Sequence, residues 1–168
     1  MQYLKLTAAD RAQLLHSLAA MPDYLRQQFA ALSAAEASQP GPDGAFSPVE
    51  QVWHLCDLER EGFGVRIRRL RDETTPQLPD FDGARIAQQR GYRGLSLSAG
   101  LEGFAAARAA NLAALQALPA EAWMRDGLQE GVGTVSLCDM PALLLQHDQA
   151  HRLEIEQWQR LRRASPGS

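Results

Sequence analysis

Two cysteines in 168 residues are too few for a disulfide framework. Cys56 and Cys138 fall in separate predicted helices, with neither CxxC spacing nor a zinc-ribbon pattern around them, so both read as reduced, small apolar residues. No apolar run approaches the length of a membrane span. The start, MQYLKLTAADRAQLLH, lacks the basic opening, apolar stretch and small-residue cleavage pattern of a signal peptide. The expectation is a soluble, cytoplasmic protein without a membrane partner. Charge of one sign is missing as well: the net charge is −3 and the arginines are interspersed with acidic residues. That leaves no broad basic field for a polyanion and excludes nucleic acid as a partner. There is no GxxxxGK[ST], no GxGxxG after a strand and no GxSxG elbow, so nucleotide and serine-hydrolase chemistry have no support. HExxH is absent, as are the repeated Glu and ExxH ligands of a di-iron bundle, which removes zinc-protease and diiron readings.

What is present is helix. Apolar residues make up 45% of the chain, enough to bury a core within one domain over residues 1–163, with ASPGS at 164–168 as a flexible tail. No stretch shows strand-like alternation, and four show helical periodicity. The first runs from about Ala8 to Leu32, but Pro22 would break a single helix, so two helices joined near Met21 are expected. After the loop SQPGPDGAF, Ser47, Pro48 and Glu50 form the clearest helix start, and the helix should run to about Asp72. The Pro- and Asp-rich TTPQLPDFDG follows, long enough to cover something, and then a short helix near Gly83 to Gln89. A third long helix spans about Ala99 to Leu118 and is stopped by Pro119. Residues from Pro119 to Thr134 read as a second long loop, flexible in GLQEGVGT. Ser136 or Asp139 caps the last helix, Pro141 favouring the later start, and it ends around Arg162. This is an all-α four-helix bundle with short extra helices in its connections; spacing alone allows either up-down-down-up order or simple alternation.

His147 and His151 are four residues apart in the last helix, so their imidazoles lie one turn apart on one face, the face that also carries Leu143, Leu144 and Ile155. A neutral imidazole pair facing the interior needs partners, and a metal ion supplies one to each ring. HxxxH alone is a weak signal, and a third ligand must come from elsewhere. Of the remaining histidines, His16 sits among Leu14, Leu15 and Leu18 and reads as a packing or surface residue. His54, in FSPVEQVWHLCDLER, borders the apolar sector of Leu55, Leu58 and Val65 and the polar sector of Asp57, Arg60 and Glu61. By itself it is either a boundary histidine bonded to a neighbour or an accessible ligand on the rim.

FSPVEQVWHLCDLE followed by a final helix with HDQAH resembles the DinB/YfiT-like family of metalloproteins. Its pattern is a Trp- or Phe-Ser/Thr start, a histidine in the second long helix and HxxxH in the fourth. The likeness runs from about Ala8 to Trp158 and includes the GVGTVSL approach to the last helix. It implies an up-down-down-up bundle with a mononuclear site near one end, and by motif matching the ligands His54, His147 and His151. The family's last helix often continues HxxQI, whereas this chain reads His151, Arg152, Leu153, Glu154, Ile155; Glu154 is free to orient a ligand, bind metal or stay solvated.

Three imidazoles leave at least one coordination position open, the arrangement of a catalytic site. Zinc or nickel suits it best, with iron, manganese and copper also accepted by imidazole. The resemblance implies an enzyme in which the ion activates a low-molecular-weight thiol or water for transfer, isomerisation or hydrolysis of a small-molecule substrate. A non-catalytic metal-binding bundle, in stress response or as a scaffold, is the alternative, and a bundle whose histidines never bind metal is a third. A homodimer through helix faces stays open. Asp57 and Asp148 are expected at the polar surface or beside the ligands rather than on the ion, and Glu61, two turns from His54, is free to line a substrate pocket. Arg108 reads as a snorkelling stem, a local ion pair or a substrate-carboxylate contact. Trp53 and Trp158 read as bundle packing, and Trp123 as a lid over the core.

Overall fold

The computed structural model of the protein describes residues 6–164. Residues 1–5, which open the stretch searched for a leader, and residues 165–168, most of the expected tail, lie outside it. Pro22 has the predicted effect: α1 (Ala8–Ala19) ends just before α2 (Met21–Phe29), and the proline occupies the first turn of α2, where its missing N–H costs no helical bond. The connection that follows holds α3 (Ala34–Ala37) and a 3-10 turn at Pro42–Gly44. Then α4 (Pro48–Asp57) starts where the capping residues place it, the Glu50 carboxylate accepting from the Ser47 N–H at 2.9 Å and from its hydroxyl at 2.7 Å.

The single helix expected over 48–72 carries a defect. A π-helical turn, Leu58–Phe63, separates α4 from α5 (Gly64–Asp72). Its wide ring is closed by the Gly64 N–H reaching back to the Glu59 carbonyl, which also accepts from Asn111 Nδ2 at 2.8 Å. The remaining elements are β1 (Gln77–Leu78), α6 (Gly83–Arg90), a 3-10 turn at Tyr92–Gly94, α7 (Leu97–Gln116), a 3-10 turn at Ala120–Met124, β2 (Asp126–Gln129), β3 (Gly133–Ser136) and α8 (Met140–Ala164). The late start of α8 is the expected one: Leu143 N–H bonds to the Asp139 carbonyl, and the Asp139 carboxylate accepts from Ser136 N–H at 2.7 Å.

The strands correct the sequence reading, which took 119–134 as loop and expected none. β2 and β3 form a hairpin with Asp126 opposite Ser136 and Gln129 opposite Gly133, and β1 pairs with β2 in parallel. The Gly131 and Gly133 backbones take the left-handed conformation the turn requires. The sheet gives the backbone of both long connections its hydrogen bonds, for example Leu128 N–H to the Pro76 carbonyl.

Contacts along the rods establish the helix order. Gly100, Gly103 and Arg108 of α7 meet Trp53, Cys56 and Glu59 in that sequence, so α4 and α7 run parallel. A Cβ at Gly100 would lie 2.9 Å from Val52 and from Trp53, so glycine is what lets these rods approach. Against α8 the sequence reverses: Gln51 meets Glu154, and Phe63 meets His147. The first rod runs parallel to α8, with Tyr24 beside Arg152 and Phe29 beside Trp158. The result is the up-down-down-up bundle. Two apolar clusters fill it: Leu58, Phe63 and Leu144 belong to one, Val52, Leu55 and Ile155 to the other. Between them lies a polar layer. Arg108, 1% exposed, pairs with Glu59 at 3.0 Å and with Asp148 at 2.8 Å, and Asn111 Nδ2 donates to Glu59 at 3.0 Å.

Candidate metal centre

His54 lies in the second turn of α4, and His147 and His151 on consecutive turns of α8, at the level where the two apolar clusters meet. Because α4 and α8 are antiparallel neighbours, the three imidazoles converge. Their ring centroids are 5.6 Å (His54–His147), 5.0 Å (His54–His151) and 4.4 Å (His147–His151) apart. One ligand atom from each lies within 4.8 Å of the others. His147 Nε2 and His151 Nε2 are 3.2 Å apart, whereas two nitrogens bound tetrahedrally to one ion at ~2.0–2.1 Å stand roughly 3.3–3.4 Å apart. Little movement would be needed to bring them onto a shared ion.

The hydrogen bonds around the rings set their roles. His151 Nδ1 meets the Gln51 side-chain oxygen, an acceptor, and lies 3.2 Å from Glu154, so Nδ1 carries the proton and Nε2 presents a lone pair to the cluster. Gln51 Nε2 in turn donates to Glu154 at 2.6 Å. Of the roles left open for Glu154, orientation of His151 is the one observed. The hydrogen bond with His151, followed by that from Gln51, holds the Glu154 carboxyl down to about 2 despite partial burial. Burial and then the neighbouring His151 push His54 down to about 4; burial followed by the other two histidines pushes His147 down to about 3. Both rings are thus kept neutral, the form that ligates.

His54 departs from the rim position its helical projection suggested. It is 9% exposed, roofed by Phe46 and Phe81 at centroid distances of 5.4 and 6.2 Å and by the start of α6. A Cβ at Gly83 would stand 2.6 Å from its Nδ1, so only glycine fits against the ring. That Nδ1 is buried without a hydrogen-bond partner among the described residues, the kind of orphan that a metal or a bound ligand satisfies. TTPQLPDFDG does cover something: its Phe81 lies over the histidine.

Asp57 and Asp148, expected at the polar surface or beside the ligands, are both buried and have other partners. Asp57 accepts from Tyr92 Oη and Arg90, both at 2.5 Å, and Asp148 belongs to the Arg108 layer. Glu61 is held by Arg90 at 2.8 Å instead of lining a pocket. Arg108 is a local ion pair and is committed on both sides, leaving it no donor role toward a substrate. His16 is a surface residue, while Trp158 packs edge-on against Phe29, Trp53 Nε1 donates to the Ser96 carbonyl and Trp123 is buried under Arg11. Sequence reasoning missed Gln51, Phe46, Phe63, Phe81 and Gly83. Gln51 had a signal, since it stands one turn before His54 on the same face. A cavity of 850 Å³ opens elsewhere, between the hairpin and Arg69; convergent imidazoles, which it lacks, mark the chemistry better than volume does.

The model of the DinB superfamily matches residues 9–155. The chain belongs to the DinB superfamily. No curated protein matches it. Among solved structures, this DinB chain is similar to YfiT from Bacillus subtilis, described as a probable metal-dependent hydrolase with an unusual four-helix bundle topology. The identity is 18% and the TM-score 0.84, over 96% of this chain and 90% of that one. It is also similar to the mycothiol-dependent maleylpyruvate isomerase, at 14% identity and a TM-score of 0.70, over 86% of this chain. The match covers 60% of the isomerase. At these identities the likeness is one of fold. What the DinB fold contributes is the antiparallel placement of α4 against α8 that brings a histidine of one to a histidine pair of the other.

Proposed function

We propose that His54, His147 and His151 hold one divalent metal ion, and that the protein is an enzyme acting at that ion on a small molecule, with a low-molecular-weight thiol or water as the attacking group. The observation that carries the reading is the convergence of three imidazoles, of which one has its tautomer fixed by Gln51 and another has a buried nitrogen without a hydrogen-bond partner among the described residues. Zinc and nickel are the leading candidates, with iron, manganese and copper also accepted by imidazole. Such an ion, with a position left open, lowers the pKa of a bound thiol or water and so supplies a nucleophile at neutral pH. The chain's own residues do the rest. Gln51 and Glu154 keep the His151 lone pair aimed at the cluster, while Phe46, Phe63 and Phe81 exclude bulk water, which strengthens any charge interaction within. Thiol-dependent isomerisation and metal-dependent hydrolysis, ascribed to the two structural neighbours, frame the reaction class.

Metal analysis of protein purified without a histidine tag or chelator tests the first half. One equivalent is expected in the wild type, with loss in His54→Ala, His147→Ala and His151→Ala; a metal-free wild type that also refuses added zinc and nickel would sink the reading. Turnover tests the second half, by pairing cytosolic thiols with electrophilic acceptors. A loaded protein that binds no thiol at the ion and hydrolyses nothing is the non-catalytic metal-binding bundle instead.

A further inference from the structure

Arg66 on α5 is 6% exposed, and its Nε is buried without a hydrogen-bond partner among the described residues. The other buried charges of the bundle have partners: Arg108 has two carboxylates, and Asp57 has an arginine and a tyrosine. Burial lowers the Arg66 pKa, and Asp80, on the exposed loop before α6, is the acidic group that opposes this without forming an ion pair. A buried guanidinium nitrogen left without a hydrogen-bond partner costs folding energy, and such an orphan is satisfied by a group from outside the chain.

Its position says what that is. Without the π-helical turn, twelve residues would set Arg66 roughly 120° around the rod from His54. The extra residue accommodated by Leu58–Phe63 removes about 100° of that and brings the two side chains onto nearly one face. Helical side chains lean toward the N-terminus, so Arg66 leans back toward the histidines, and its guanidinium carbon lies 5.3 Å from the Phe63 ring centre. The Phe63 ring in turn is 6.3 Å from His147. These two separations hold the guanidinium within about 12 Å of the His147 ring.

We infer that Arg66 is the anion-binding end of the site: a carboxylate on the substrate or on the thiol pairs with its guanidinium while the reacting end sits at the three histidines. This rests on the proposed metal-site reading for the reacting end only. The guanidinium fork matches a carboxylate bidentately, and one cation with Asp80 nearby balances a monoanion better than a phosphate dianion.

The test uses cobalt(II)-loaded protein and two series of probes, ω-mercaptocarboxylates and the matching ω-mercaptoalcohols of three to eight carbons. Thiolate binding is followed by the sulfur-to-cobalt absorption band. In the wild type, acids of one or two chain lengths bind at least tenfold more tightly than their alcohols. Arg66→Gln abolishes that preference, Arg66→Lys keeps part of it, and metal content and alcohol binding stay unchanged. A second arm needs no metal: the corresponding straight-chain carboxylates raise the Tm of chelator-treated wild type and not that of Arg66→Gln. If the metal reading alone fails, this arm still reports the carboxylate site. An acid preference that survives in Arg66→Gln overturns the inference, as does its absence from the wild type in both arms.

Discussion

At the scale of single residues, the site depends on groups that do not touch the proposed ion. Gln51 fixes the His151 tautomer, and Gly83 leaves the space that the His54 ring fills. Removing the hydrogen-bond partner of a ligating histidine commonly costs 10–100-fold in metal affinity. Gln51→Ala should therefore weaken zinc binding by about that factor, measured by competition with a chromophoric chelator, while the thermal midpoint of the metal-free protein stays close to wild type. Gly83→Ala acts differently, because its methyl group would overlap the imidazole itself and His54 must swing away. Its zinc affinity should fall to that of His54→Ala. Wild-type affinity in Gly83→Ala would show that the roof over the site gives way easily. Gln51 offered only its place one turn before His54 as a signal and Gly83 offered none, because an amide or a glycine near a histidine has many commoner uses. The His147–His151 pair was legible in its helical period, whereas His54 joined it only through the resemblance of FSPVEQVWHLCDLE and HDQAH to the family.

At the scale of elements, long periodic helices and their caps were readable, and short-range hydrogen bonding was not. Ser47 and Glu50 located α4 to the residue, and Pro22 located the α1–α2 break, because each acts through local geometry. The hairpin escaped because four-residue strands are too short for alternation to show, although the two glycines flanking Val132 were a usable turn signal. The π-helical turn escaped for another reason. Its wide ring is stabilised by tertiary partners, Asn111 on the Glu59 carbonyl and Arg108 on the Glu59 carboxylate, which lie some fifty residues away. The same layer makes a prediction. Arg108→Met strands two buried carboxylates and should cost about 3–5 kcal/mol by urea unfolding. Replacing all three members together, Arg108→Met with Glu59→Leu and Asp148→Leu, should recover most of that. If the single variant is as stable as wild type, the layer is not the buried ion network described.

At the scale of the whole molecule, the histidines tie folding to pH, because α4 and α8 bring together rings that are about ninety residues apart and unfolding separates them. Unfolded imidazoles titrate near pH 6.5, while in the fold burial holds His54 to about 4 and His147 to about 3. Between pH 6.5 and 4 the unfolded chain therefore binds up to two protons more than the folded one. The stability associated with these neutral rings is present in full above pH 6.5 and is lost as pH falls through that window, by at most about 2.7 kcal/mol per pH unit. Chelator-treated protein should show its urea midpoint falling steadily from pH 6.5 to 4.5, with a flatter profile in the His54→Gln, His147→Gln double variant. Metal adds to this in a characteristic way. It binds the folded state alone and needs neutral imidazoles, so ordinary histidine sites lose affinity below pH 6.5 as protons compete. Here folding has already excluded the protons from His54 and His147. Zinc affinity should fall far less between pH 7.5 and 5.5 in equilibrium dialysis than the roughly thousandfold of three imidazoles titrating at the ordinary value, and a fall of that size would mean that His54 and His147 titrate as if exposed to water.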